Sequence, residues 1–315
     1  MYLLATFLQI AIMLLYFKVA DRYNIIDKPN ERSSHTGIII RGGGIVFAGA
    51  ILLAFFMGYA SWQITLAVLM VATVSFVDDV RPLSQIPRFT VHVLASLLVL
   101  YEVGLWENAL WWIPLVLFVF LGWVNIFNFM DGINGITALY SLAVLVGFYL
   151  LPELIEYREL ILLVGISVIV FAFFNVRKTA KTFAGDVGSI SMAFILGYLM
   201  LHLILISGEI HYILFFAVYG IDGVLTILQR LVQKENIFHP HRTHLYQYLA
   251  NEMRWGHLKV TFLYSSIQLL INVLLIYYIN LGFNPSLLSF ILIVLAMIVI
   301  YFYTKFVILR KINVL

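Results

Sequence analysis

The stretch NIFNFMDGINGI, residues 125–136, places Asn125, Asn128, Asp131 and Asn134 directly after residues 109–124, a run without a single charge. Asn125, Asn128 and Asp131 recur every three residues, so on a helix they share one side with a drift of about 60° per step. Such a wall of hard oxygen donors could line a cleft, and an ionisable group at membrane depth is functional by default. Amides in membranes also serve simply to bond helices together. Gly132 and Gly135 would let backbone or a ligand come close.

Four further stretches carry chemistry-bearing groups. FVDDVRPLSQIPRF sets Asp78 and Asp79 at the end of an apolar segment, with Arg81 and Arg88 following. Adjacent carboxylates repel unless a cation or guanidinium is near, and Asp at a helix C-terminus opposes the macrodipole. KTFAGDVGSI puts Asp186 at a helix start, where Asp186 or Ser189 would serve as an ordinary cap. A helix start also suits phosphate, and Gly185 and Gly188 permit close backbone approach. The segment HPHRTHLYQ holds His239, His241, Arg242 and His244; without HExxH or Cys it suits a diphosphate better than zinc. Basic residues there would also suit lipid headgroups. Asp222 lies two turns from Arg230 inside an apolar helix and needs a cavity or a partner. The loop DKPNERSSHTGIIIRGGG adds hydroxyl and basic groups, Arg41 among them, that fit an anion.

The elements that must position these groups are membrane helices. The 315 residues are 63% hydrophobic and 11% charged, against about 25% charged in soluble domains. Long apolar runs recur throughout, which implies one all-α integral membrane domain over residues 1–315. The absence of cysteine excludes disulfides and thiolate metal sites. Spans are expected near 2–20, 43–61, 63–78, 89–105, 109–127, 133–151, 160–176, 187–207, 210–229, 258–280 and 284–306, about 10–11 in all. The N-terminal apolar segment precedes its first charge, Lys18, which is the wrong order for a cleaved signal peptide. Of nineteen Lys and Arg residues, only Arg158 falls in the loops of the opposite face. The positive-inside rule then puts the N-terminus outside and the C-terminus in the cytoplasm. All the aspartates fall on the cytoplasmic half, whereas the outward loops use Glu102, Glu107, Glu153, Glu156, Glu159 and Glu209. Short carboxylates gathered with amides and basic groups on one face suggest a cytoplasm-facing active site.

Taken in order, RSSH…RGGG, Asp78–Asp79 with Arg88, NxxNxxDG, FAGDVGS and HRTHLYQ resemble the polyprenyl-phosphate N-acetylhexosamine-1-phosphate transferases. The resemblance runs from about Asp27 to Gln247. It implies a bacterial inner-membrane enzyme that moves a sugar-1-phosphate from a UDP-N-acetylhexosamine to undecaprenyl phosphate and releases UMP. It implies magnesium, with manganese as a substitute, held by Asn128 and Asp186. Asp78 would lie nearest the acceptor phosphate with Asp79 assisting, and Asp131 would line the nucleotide site. Phe183 would stack on uracil, Arg242 and His244 would clamp diphosphate and sugar, and Arg41 and Arg88 would bind the anionic substrates. Membrane lipid is an expected partner and nucleic acid is not; a homodimer is compatible with the family.

One position departs from the pattern. Where the family commonly has DGIDG this chain has DGING, so at the substrate-binding position that the resemblance sets near the nucleoside Asn134 replaces a carboxylate, although an amide can still donate and accept. HRTHLYQ resembles the branch acting on simple N-acetylhexosamines for O-antigen, capsule, lipopolysaccharide or related cell-wall glycans. Two rival classes share some features. A secondary transporter would show inverted repeats and midplane polar groups, and an intramembrane aspartyl protease would need two facing aspartates, Asp186 with Asp222 being the tempting pair.

Overall fold

The computed structural model describes residues 1–27, 38–236, 241–282 and 286–312. Lys28, Arg32, the rest of RSSH and His239 lie outside these. Among the described residues, eleven helices of at least 12 residues follow one another. They are α1 (Tyr2–Tyr23), α2 (Ile45–Phe56), α3 (Trp62–Val80), α4 (Gln85–Glu102), α5 (Ile113–Phe129), α6 (Ile136–Leu150), α7 (Arg158–Asn175), α8 (Gly185–Ser207), α9 (Ala217–Val232), α10 (His257–Asn280) and α11 (Leu287–Ile312). Each overlaps one expected span.

The chain is a multi-pass membrane protein: among the described residues, eight segments are long and apolar enough to cross a bilayer. The expected count of 10–11 needs refinement at α2, α4 and α6. Helices α2 and α6 are apolar but shorter than a full span. Each starts late because a glycine loop precedes it, Gly42–Gly44 before α2 and the turn ending at Gly135 before α6. Backbone that is not helical is tolerated at such depth only where other protein satisfies its polar groups. Here the Gly135 N–H donates to Asn175 Oδ1 at 2.7 Å, and the Gly44 N–H to the Ala184 carbonyl at 3.0 Å. The all-helical architecture holds, with one short two-stranded ribbon added among the described residues. Ile26–Asp27 (β1) pairs antiparallel with Ile39–Ile40 (β2), and Ile40 bridges in parallel to Thr182.

Helix α8 forms the centre of the bundle. Fifteen of its residues are buried, on every side, as expected of a helix apolar all round. Around it, Trp123 stacks on Phe216 at 3.8 Å and donates its indole N–H to the Ala193 carbonyl. Outer helices instead present large apolar side chains such as Phe7, Phe118 and Leu292, the surface that lipid covers. Some buried amides are interhelical ties and nothing more: Gln268 donates to the Leu214 carbonyl, and Asn272 to that of Ala143.

Candidate active site

Asp78 and Asp79 end α3 and part at once. The Asp79 side chain is wholly enclosed. Its oxygens accept the N–H groups of Asp186 and Val187, each at 3.1 Å, and Arg41 Nε lies 2.7 Å away. Asp79 therefore caps α8 from another helix. This corrects the expectation that Asp186 or Ser189 would cap it, and it removes the first helix N–H groups from the phosphate-binding role a free helix start could play. Asp78 accepts the Leu83 N–H at 2.7 Å and pairs with Arg88 at 2.6 Å.

Asp186 is left facing outward between two guanidiniums, with Arg88 at 3.1 Å and Arg41 at 3.5 Å. Side-chain exposure rises from 0% at Asp79 through 9% at Asp78 and 18% at Asp186 to 29% at Arg88 and 36% at Arg41. The pairs thus form a wall whose accessible groups are Asp186 and the arginines. Burial alone would lower the proton affinity of Arg41, but Asp79 and Asp186 outweigh it and hold that affinity above the ordinary range.

Asn128 lies on the last turn of α5. Its Oδ1 accepts the Ser189 hydroxyl at 2.6 Å, and that hydroxyl also reaches the Gly185 carbonyl at 3.1 Å. The amide oxygen is thereby oriented beside the start of α8. Asp131, in the loop after α5, accepts from the Thr137 hydroxyl. Burial pushes its carboxyl up to about 7; Thr137 opposes this and the charges of Asp186 and Asp79 add to it.

Glycine geometry makes the clamp around this wall. The Gly43 N–H donates to the Phe183 carbonyl and the Phe183 N–H to that of Ile40, both at 2.8 Å. A Cβ on Gly44 would stand 2.2 Å from Gly188 Cα, so backbone meets backbone there. Tyr16 donates to the Arg41 carbonyl, steadying the guanidinium that follows. Phe183 itself is half-buried with its backbone pinned on both sides.

The HRTHLYQ segment is held from beneath by Asp222. That carboxylate accepts the Leu245 N–H at 2.9 Å, the Tyr246 N–H at 3.2 Å and the Tyr264 hydroxyl at 2.8 Å. Tyr246 then donates to the Phe129 carbonyl at 2.9 Å and fills the space left by Gly132. This ties the segment to the end of α5. Arg242 is half-buried on its rim. Burial lowers the neighbouring His241 to about 4, helped by His244 and Arg230, so it is neutral near pH 7.

The structure unites Arg41, Asp78, Asp79, Arg88 and Asp186 in one network and sets Asn128 and Asp131 beside it. Three expected site residues are enclosed instead. Asp79 is consumed by α8 and Arg41. Asn134, 2% exposed, donates its side-chain amide to the Arg177 and Lys178 carbonyls, while its backbone carbonyl accepts from Thr261. His244, 1% exposed, packs under Phe129, 3.5 Å from Asp222. Asn125 points outward and bonds the Leu121 carbonyl of its own helix. Ser189, Thr137 and Tyr246 carry positioning roles that residue type alone did not reveal. Their signal was proximity: Ser189 three residues after Asp186, and Thr137 just past the glycines that follow Asp131.

The donor set fits a magnesium-like cation: oxygen atoms only, with three carboxylates against two guanidiniums in the network. Asn128 and Asp186 would hold it. Among the described residues no cluster of three or more His, Asp or Glu could do so, so substrate oxygens and water would complete the shell. The Asp186–Asp222 pair of a protease is not built, since Asp222 is engaged by α9, α10 and the HRTHLYQ segment.

Comparison with known proteins bears on the family. The sequence model described as glycosyl transferase family 4 matches residues 61–204, which bears out the resemblance read from the motifs. Phospho-N-acetylmuramoyl-pentapeptide-transferase of Thermotoga maritima is 32% identical over 124 residues, 39% of this chain and 40% of that protein. The probable undecaprenyl-phosphate N-acetylglucosaminyl 1-phosphate transferase of Bacillus subtilis is 23% identical over 74% of this chain and 71% of its own length. The undecaprenyl-phosphate alpha-N-acetylglucosaminyl 1-phosphate transferase of Escherichia coli K12 is 25% identical over 73% and 70%. The chain thus spans about two fifths of the Thermotoga relative and about seven tenths of the other two.

Proposed function

We propose that this chain, matched by glycosyl transferase family 4 over residues 61–204, transfers N-acetylhexosamine-1-phosphate from a UDP-sugar to undecaprenyl phosphate. The observation that carries the reading is Asp186 bracketed by Arg41 and Arg88, next to an Asn128 oriented through Ser189. Two anionic phosphates must meet in this reaction, and paired cationic groups lower their repulsion.

A carrier phosphate oxygen attacks the β-phosphorus of the donor. The new P–O bond forms as the bond to the α-phosphate breaks, and UMP leaves with that electron pair. A magnesium ion on Asn128 and Asp186, with manganese as a substitute, would supply charge neutralisation to the diphosphate when bound. Arg88 orients Asp78, which faces the acceptor phosphate. Arg41 is the second guanidinium at the opening. Phe183, half-exposed at the mouth, offers a face to uracil, and Arg242 approaches the diphosphate from the far rim. Asp79 acts through α8, as a positioning residue. Transfer is a single displacement; a phospho-enzyme trapped at Asp78 would overturn that step.

In this reading the site faces the cytoplasm at a bacterial inner membrane, N-terminus outside and C-terminus inside, where carrier and soluble donor can both arrive; the Lys and Arg distribution supports that orientation. The product would begin a lipid-linked glycan of the O-antigen or capsule type. Purified protein in detergent, undecaprenyl phosphate, magnesium and a panel of UDP-N-acetylhexosamines provide the test. Carrier-dependent UMP release, lost in Asp186→Asn, is expected, and the panel names the sugar. Absence of release with every donor, together with absence of UMP and magnesium binding, would sink the reading.

A further inference from the structure

Helix α11 is mostly exposed or half-buried. It buries three side chains, Tyr301, Lys305 and Ile308, at spacing i, i+4, i+7, one narrow stripe on one face. Two of the three are polar. A lysine near the end of a membrane helix ordinarily snorkels to the interface, as the exposed Arg310 and Lys311 at the end of α11 do. Lys305 turns inward and is 6% exposed. Its ammonium donates to Gln229 Oε1 at 2.6 Å, the Thr243 carbonyl at 3.0 Å and the Tyr301 hydroxyl at 3.0 Å. These three acceptors match its three donors, which is what a buried cation requires.

Thr243 stands between Arg242 and His244. The Tyr301 hydroxyl also contacts Thr226 at 3.0 Å, and Thr226 reaches Asp222 at 3.3 Å. Asp222 in turn holds the N–H groups of Leu245 and Tyr246. One chain of polar contacts therefore grips the HRTHLYQ segment at two points, by the Thr243 carbonyl and by the N–H groups of Leu245 and Tyr246. From Tyr246 the contact continues to the Phe129 carbonyl, one residue past Asn128.

We infer that Lys305 is a positioning residue: from the last helix it fixes the backbone at Thr243, and so sets Arg242 against the donor diphosphate. The catalytic half rests on the proposed function; the structural half does not. The test compares Lys305→Met, Lys305→Arg and Tyr301→Phe with the parent protein in detergent, by amide hydrogen exchange and by UMP release. In Lys305→Met the amides of residues 243–248 exchange about tenfold faster or more, while those of α3 and α8 are unchanged. KM for the UDP-sugar rises, by up to about a hundredfold, and KM for the carrier does not. Lys305→Arg, which keeps donors and charge, restores much of both, and Tyr301→Phe gives a smaller effect of the same kind. Unchanged exchange at 243–248 in Lys305→Met overturns the inference whether or not the protein turns over. Faster exchange with an unaltered donor KM in an active enzyme overturns the positioning role. Equal losses toward both substrates, with faster exchange throughout the bundle, show general destabilisation and overturn it too. A parent protein that releases no UMP counts against the proposed function, and exchange still decides the grip on the segment.

Discussion

The carboxylate of Asp79, at the last turn of α3, accepts the backbone N–H of Asp186, in the first turn of α8, at 3.1 Å. A carboxylate unfavourably placed at one helix C-terminus is thereby favourably placed at another helix N-terminus. The contact fixes the distance between the DD and FAGD motifs and aims the Asp186 side chain away from the core, between Arg41 and Arg88. Asp79→Ala should therefore act first on stability. Loss of a helix cap costs about 1–2 kcal/mol, and Arg41 and two N–H groups lose a partner as well. Thermal unfolding in detergent should show a lower midpoint, with magnesium affinity falling only as folded protein is lost.

Asp186→Asn should behave in the opposite way. Its side chain is partly exposed and makes no backbone bond among those described, so the fold should tolerate the amide. Turnover should drop by about 10²–10³-fold with an unfolding midpoint close to that of the parent. A fall in midpoint as large as that of Asp79→Ala would count against the division of roles.

Ser189→Ala removes the hydroxyl that orients the Asn128 oxygen. Loss of such a supporting bond lowers metal affinity by about 10–100-fold. The magnesium concentration for half-maximal UMP release should rise accordingly, and excess magnesium should restore rate. Chelation should silence the parent, and either magnesium or manganese should revive it. Activity that survives exhaustive chelation would contradict the assignment of Asn128 and Asp186.

The pH profile tests Asp131. Its carboxyl is raised to about 7, so below that value it holds a proton and above it carries charge. If the ionised form orders the nucleotide site, UMP release should climb as pH passes through about 7, and Asp131→Asn should flatten that limb. Stability runs the other way. The folded state retains a proton that the unfolded chain has released, so stability falls as pH rises from the ordinary carboxylate range to about 7.

Two glycines give a steric control. Gly44→Ala would drive a Cβ to within 2.2 Å of Gly188 Cα, whereas a Cβ at Gly122 meets nothing within 4 Å. Gly44→Ala should part the RGGG loop from FAGD and reduce both folding yield and activity. Gly122→Ala, within helix α5, should leave activity intact and raise stability by about 0.8–1.0 kcal/mol from helix propensity alone.

The sequence by itself determined the helices, because apolar run length is a local property and the bilayer demands it. It also marked a polar cluster: Asp78, Asp186, Asn128, Arg41 and Arg88 stood out as polar groups that apolar helices have no need of. The late starts of α2 and α6 lay in its glycines, although a run of apolar letters conceals where a helix begins. Tertiary structure alone decided which carboxylate faces the opening. Asp78 and Asp79 are neighbours of the same type, and about 100° of helix rotation sends one to Arg88 and the other beneath α8. The same holds for Asn134 and His244, whose letters suggest ligand contact and whose partners, the Arg177 and Lys178 carbonyls and Asp222, lie far along the chain. Lys305 is the plainest case. As a letter near the end of a membrane helix it signals orientation, and only the packing of α11 against α9 turns its ammonium inward to the Thr243 carbonyl. Hydrogen-bond partnership depends on distances that folding sets between remote residues, and no local pattern encodes them.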